Sequence, residues 1–303
     1  MTKEVTVRVP ASTTNLGPGF DALGLALRRY NRLRVSLTEG PVRVEVEGEG
    51  AGILETGPEN LVYRAMCRLY DEVGQPHPTV LIRLQNTIPV SRGLGSSSTA
   101  IVGGLVAANA LLGDLLSREQ VLALAVEIEG HPDNVTPALL GGFQITSLTE
   151  EGLIHLRIPT PSGLRAVVCV PEAAVSTAAA RQVLPQQYSR ADAVFNIGRV
   201  SLLVAALLTG NTEVLRPAMQ DRIHQPYRAA LIPGFEGVIQ GALDAGAVGA
   251  CLSGSGSTML ALTCGHETEV GEAMVAAVRA AGVEARWFAL DVDEEGAVVE
   301  ESV

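Results

Sequence analysis

The sequence predicts an α+β fold in two domains, with helices laid on one face of mainly antiparallel sheet. Three observations carry this. Strand-like alternation and helical spacing interleave along all 303 residues. The run "IPTPSG" (158–163) breaks the chain near its middle, dividing it into 1–160 and 161–303. No internal repeat or low-complexity tract interrupts either half.

Val5, Val7 and Val9 alternate with polar neighbours, as do Leu33, Val35 and Leu37, and then Val42, Val44 and Val46. Each set predicts a strand with one buried face, and "TEGP" (38–41) is a turn between the last two. Over 59–73, Val62, Met66, Leu69 and Val73 follow helical spacing, stopped by Gly74 and Pro76. "TVLIRL" (79–84) is a further strand. A helix of small residues follows over about 96–112. A second starts at Ser117, an N-cap with Gln120 three residues on, and ends by Gly130. Two short strands come after Gly141 and Gly142. Beyond the break the pattern reads strand (166–170), an Ala-rich helical stretch, and a long helix to residue 208 starting about Arg190. It closes with helix (235–245), strands (248–252 and 258–262), helix (267–281) and strand (285–290).

Composition narrows the function. Apolar residues make up 47% and charged residues 18%, a globular balance without a disorder signature. A net charge of −11 argues against a nucleic-acid partner, since phosphate backbones reward basic faces. Cys67, Cys169, Cys251 and Cys264 match no zinc or redox spacing and read as reduced thiols. The opening "MTKEVTVRVP" alternates like a strand and has no basic-then-apolar leader, so no export signal is expected. The apolar run "VSLLVAALLTG" from Val200 is too short for a bilayer, so a cytoplasmic protein without a membrane partner is expected. Lys3 is the only lysine, and the other 21 of 22 basic residues are arginine. That excludes a Walker A lysine, a protein-kinase ATP lysine and a pyridoxal Schiff base together.

"PVSRGLGSSST" (89–99) sits where a strand gives way to a helix. Gly93 and Gly95 let several N–H groups turn toward one point. Ser96, Ser97 and Ser98 then open a helix whose first amides lack intrahelical partners and whose dipole is positive there. The result is an anion cradle without lysine. A glycine turn with ordinary serine capping fits the same letters.

Three further stretches add to it: "PASTTNLGPGFDALGLAL" (10–27), "IEGHPDNVTPALLGG" (128–142) and "CLSGSGSTMLAL" (251–262). In order and separation the set resembles the motifs of the small-molecule kinase superfamily covering galactokinase, homoserine kinase, mevalonate kinase and phosphomevalonate kinase (GHMP). Within it, "TTNLGPGFDALGLAL", "EGHPDNV" and "HQPYRAALIPGF" (224–235) resemble the homoserine kinases. Ser257 departs from the pattern, where the family commonly has proline after Gly-Ser-Gly. The resemblance implies an N-terminal domain like ribosomal protein S5 domain 2 and a ferredoxin-like C-terminal α/β sandwich. It implies phosphoryl transfer from ATP, with Mg²⁺, to the side-chain hydroxyl of L-homoserine, the committed entry to threonine. A homodimer is a further expectation. Another acceptor, such as mevalonate or a sugar, and a nucleotide-binding homologue without catalysis are the alternatives.

By this resemblance Pro89, Val90, Ser91, Arg92, Gly93, Leu94, Gly95, Ser96, Ser97, Ser98 and Thr99 wrap the ATP phosphates. Gly254, Ser255 and Gly256 approach them from the C-terminal domain, where close backbone approach forbids a Cβ. A carboxylate for magnesium comes from the helix before "GHPDN". Glu127 and Glu129 lie two positions apart and so face different ways. The family motif favours Glu129 as the metal ligand, with Ser97. An anion at a helix C-terminus costs roughly 0.3–1 kcal/mol, and a nearby Mg²⁺ reverses that sign. For the acceptor, Asp21 and Asn15 take the ammonium, Arg181 and Arg228 the carboxylate, and Asn134 the reacting hydroxyl. A guanidinium fork matches a carboxylate in two bonds. Asn15 and Asp21 also suit fixing the Gly17-Pro18-Gly19 turn, and Arg181 suits an exposed helix face. Whether Asp133 acts as a base is open. His77, His131, His155, His224 and His266 read as structural.

Overall fold

The protein is described here by a computed structural model covering residues 4–302. Met1, Thr2, Lys3 and Val303 lie outside the described residues, and with them the single lysine.

β1 (Glu4–Thr14) and β2 (Leu23–Leu37) form a long antiparallel pair in which Val5, Val7, Val9, Leu33 and Val35 turn to one face. β3 (Arg43–Gly48) follows, then α1 (Leu61–Glu72), capped by the Asn60 side chain on the Val62 amide. β4 (Val80–Asn86) leads into α2 (Ser96–Leu111), then α3 (Arg118–Glu129), where Ser117 and Gln120 complete a capping box. α4 (Pro132–Leu140) precedes the hairpin of β5 (Phe143–Thr149) and β6 (Gly152–Ile158). The sequence reading had no helix at 132–140; Pro132 at its first position starts it. β2 is long enough to pair β4 with one half and β5 with the other. β3 runs parallel to β4, because the connection between them contains α1.

The second half contains β7 (Arg165–Pro171), α5 (Thr177–Gln182), α6 (Arg190–Thr209), α7 (Leu215–Ala218) and α8 (Gln225–Arg228). After these come α9 (Phe235–Asp244), β8 (Gly249–Leu252), β9 (Met259–Thr263), α10 (Glu267–Ala280), β10 (Ala285–Leu290) and β11 (Val298–Ser302). The second sheet has the antiparallel order β10-β7-β9-β8. An α+β architecture with two sheets is therefore what the chain builds.

Three cores hold it together. One lies between the first sheet and α1 to α4, and another between the second sheet and α9 and α10. The third joins the halves: Leu23, Leu25, Leu27, Ile88 and Phe143 meet Val168, Leu260 and Leu262, with Leu203 and Leu207 of α6. The second sheet is thus covered on both faces, which is why β8 and β9 are apolar and buried without alternation. α6 corrects one expectation. Its 20 residues, with mean hydropathy 1.6 over its most apolar window, are long and apolar enough by length and composition to cross a membrane. Its inner face, Asn196, Leu203, Ala206 and Leu207, is buried within the fold.

The first sheet is built from strands within residues 4–158, the second from strands within residues 165–290, and the end of the chain rejoins the first. β11 returns to the first sheet, where Val298 and Val299 pair with Arg8 and Val7 of β1. Asp293 clasps this return. It is buried and accepts hydrogen bonds from the Tyr30 hydroxyl (2.7 Å) and the Gly296 amide (2.7 Å). Asp293→Ala removes the acceptor of both, and the buried Gly296 amide left unpaired costs about 1–3 kcal/mol. A clear fall in the urea midpoint is expected, and an unchanged midpoint contradicts the clasp.

Candidate active site

The loop between β4 and α2 is forced into shape by its neighbours. Gly93 and Gly95 have φ of +75° and +70°. A Cβ on Gly95 would lie 2.1 Å from Ser12 Oγ, and one on Gly93 2.3 Å from the Ser253 carbonyl oxygen. Both conformation and space therefore demand glycine. α2 begins at Ser96 with no side-chain cap bond, so the first amides of a 16-residue helix keep their hydrogen-bonding capacity. Around them, the second half holds the loop. Arg92 donates to the carbonyls of Pro171 (3.1 Å) and Glu172 (2.5 Å). The Thr258 amide donates to Arg92 O (3.1 Å), and Ser253 Oγ to Gly93 O (2.6 Å). The glycine-serine turn at 253–258 thus touches the loop directly. Ser257, at the position where the family pattern has proline, is buried and its hydroxyl donates to Ala173 O.

Beside this cradle, α3 ends in Glu129, and Gly130 (φ +84°) turns the chain into α4. Ser97 Oγ and Ser98 Oγ both donate to Glu129 Oε1, at 2.8 and 3.0 Å. Glu127 points elsewhere: Arg68 holds both its oxygens at 2.9 and 2.8 Å, and keeps its carboxyl below the usual range. His131 is extended (φ −153°, ψ 148°), as the following proline requires. Its Nδ1 lies 2.7 Å from Asp133 Oδ1. Burial pushes the imidazole down, but the Asp133 hydrogen bond and the charges of Asp133 and Glu129 outweigh it and leave His131 raised. Asp133 is therefore already engaged, which the sequence did not reveal. Asn134 Oδ1 accepts from Ser12 Oγ (2.9 Å), placing its amide between β1 and the loop.

The third group of residues lies across the cleft. Asn15 (φ +69°) is buried; its Oδ1 accepts from the Asp21 amide (3.0 Å) and its Nδ2 donates to Gly254 O (3.1 Å). In this structure it fixes the turn. Arg181, from α5, makes a two-bond pair with Asp21, both distances 3.0 Å. Arg228 is buried, donating to Ala180 O (3.0 Å) and Gly254 O (3.0 Å). Burial lowers its guanidinium, and the Arg181 cation adds to this. Phe20 lies under both arginines, 5.1 Å from Arg228 and 5.8 Å from Arg181, and stacks on His224 at 5.2 Å.

One cleft of about 360 Å³ collects most of these residues. Val90, Ser91, Arg92, Gly93, Gly95, Ser96, Ser97, Ser98 and Thr99 line it, as do Gly254, Ser255, Asp21, Glu129, Asn134, Arg181 and Arg228. Pro89, Leu94, Gly256 and Asn15 do not line it; Leu94 is instead buried in the core between the halves. Wall positions that the sequence reading did not assign to the site include Thr14, Thr177 and the far end around Leu54, Asn60 and Leu61, while His131, read there as structural, also lines the cleft. Thr14 had a signal, the polar run "STT" (12–14) two residues before the Gly17-Pro18-Gly19 turn. Thr177 and the residues at the far end had none.

Comparison with known proteins identifies the family. A family model described as "GHMP kinases N terminal domain" matches residues 60–142, and "GHMP kinases C terminal" matches 203–284. A homoserine kinase of Desulfitobacterium hafniense is 47% identical over 296 residues, covering 97% of this chain and 99% of its own. One from Microchaete diplosiphon is 47% identical over 295 residues, covering 97% and 96%. The crystal structure of homoserine kinase from Cytophaga hutchinsonii superimposes with a TM-score of 0.90 at 34% identity, over 98% of this chain and 97% of that one. The chain belongs to the homoserine kinase family of the GHMP kinases.

Proposed function

We propose that this enzyme transfers the γ-phosphoryl group of ATP to the side-chain hydroxyl of L-homoserine, giving O-phospho-L-homoserine for threonine synthesis. The observation that carries the reading is a single cleft lined by the uncapped start of α2, the Glu129 carboxylate and the Asp21, Arg181, Arg228 group. Amides suit the polyphosphate, and the acid and arginines suit an amino-acid head. The nucleotide base then lies toward Leu54, Asn60 and Leu61.

The donor set at Glu129 fits Mg²⁺. A carboxylate and the Ser97 hydroxyl, 2.8 Å apart, are hard oxygen ligands, and such sites usually add phosphate oxygens and water. Bound there, Mg²⁺ would offset charge on the β and γ phosphates. The remaining work falls to this chain's own groups. The α2 amides hold the phosphates in place and stabilise the charge on the transferred group. Asn134, fixed by Ser12, orients the acceptor hydroxyl. Asp133 holds His131 and so shapes the loop. Positioning of this kind is worth roughly 7–11 kcal/mol in favourable cases. The reading includes a cytoplasmic location and a homodimer, the latter read directly by light scattering in solution.

With Mg·ATP, ADP release is expected to depend on homoserine; release with mevalonate but not homoserine contradicts the acceptor. Glu129→Gln should lower kcat by about 100-fold and demand more magnesium. Glu127→Gln, which only loses an exposed pair with Arg68, should stay within about twofold. A reversed order would move the metal to Glu127. Arg228→Lys, which keeps the charge but loses the planar fork, should raise the homoserine KM about tenfold with the ATP KM little changed.

A further inference from the structure

Asp21 and Arg181 are assigned to opposite ends of one substrate, yet in the structure they hold each other. Arg181 Nη1 lies 3.0 Å from Asp21 Oδ2, and Nη2 lies 3.0 Å from Oδ1. Both side chains face the cleft and are part-exposed, 41% for Arg181 and 35% for Asp21. While the pair is closed, neither charge offers its full bonding capacity to a ligand.

The two partners differ in freedom. Asp21 is a short side chain on a pinned turn: its amide is held by Asn15, which is itself bonded to Gly254. Arg228 is likewise fixed, buried and bonded to the carbonyls of Ala180 and Gly254. Arg181 is a long side chain near the end of the six-residue α5, and its guanidinium is the part able to swing.

We propose that the Arg181–Asp21 pair is an exchangeable latch that makes the acceptor site selective for a zwitterion. This rests on the acceptor reading above. The substrate ammonium takes the place of the guanidinium at Asp21, and the released guanidinium takes the substrate carboxylate. One pair is broken and two are made, with the net charge of the site unchanged. A hydroxy acid without the ammonium frees Arg181 only by leaving Asp21 unpaired. An amino alcohol without the carboxylate leaves Arg181 unpaired. The site therefore rejects singly charged alcohols through the pair they break as well as the contact they lack.

The distinguishing consequence is a gain of binding on removing a charge. The probes are 4-hydroxybutanoate and 3-aminopropan-1-ol, measured as competitive inhibitors against homoserine with the full chain and Mg·ATP. Asp21→Asn suits the test because asparagine tolerates the φ of +54° found there. It should raise the homoserine KM about tenfold or more. It should also lower the Ki of 4-hydroxybutanoate about threefold to tenfold, since Arg181 is then free. Arg181→Gln should do the reverse, tightening 3-aminopropan-1-ol while weakening homoserine, and carries the test should Asp21→Asn not fold. A Ki for 4-hydroxybutanoate that stays level or rises in Asp21→Asn, while homoserine weakens, overturns the latch and leaves the acceptor reading intact. A wild-type enzyme that turns over no homoserine overturns the acceptor reading and the latch with it.

Discussion

Backbone amides at the start of α2 are the constraint from which the rest of the architecture follows. Among the described residues there is no lysine, so none of them sets a side-chain ammonium against a triphosphate. In the proposed reading the first turn of a long helix supplies that positive end instead, provided that nothing of the protein's own occupies it. Gly95 at the cap position meets this condition because it has no side chain to offer. The three serines that follow send two hydroxyls sideways to Glu129. The carboxylate there faces an unfavourable helix end of its own, a cost that a bound divalent cation reverses.

Amides are useful only if they stay in place, and the second half of the chain keeps them there. Arg92 lies within the loop that the family resemblance wraps around the ATP phosphates. Its guanidinium is instead bonded to the carbonyls at the end of β7. Ser253 and the Thr258 amide hold the neighbouring loop carbonyls. The apolar core between the sheets carries these contacts, and β11 returns to the first sheet as the edge strand beside β1. Loop position is thus a property of the whole molecule.

Much of this was legible from residue order. Strand alternation, the Ser117–Gln120 cap and the glycine-serine punctuation are local signals, and local signals survive in sequence. The choice between Glu127 and Glu129 did not survive as well. Periodicity says that they face apart, but only the position of Arg68 on α1 decides which one is turned away. The pairing of Asp21 with Arg181 spans 160 positions and leaves no pattern. β11 was missed for a similar reason. Five residues rich in glutamate become a strand only because β1 has a free edge there. The His131–Asp133 contact is short in sequence, yet it depends on the extended backbone before Pro132 and on the start of α4.

The central claim is that peptide N–H groups, with no lysine among them, bind the triphosphate. A crystal structure with a non-hydrolysable ATP analogue and Mg²⁺ tests this most directly. The account predicts β- and γ-phosphate oxygens within hydrogen-bonding distance of the amides of Gly95, Ser96, Ser97 and Ser98, with the metal on Glu129. A triphosphate bound elsewhere in the cleft, with those amides facing only water, would contradict it.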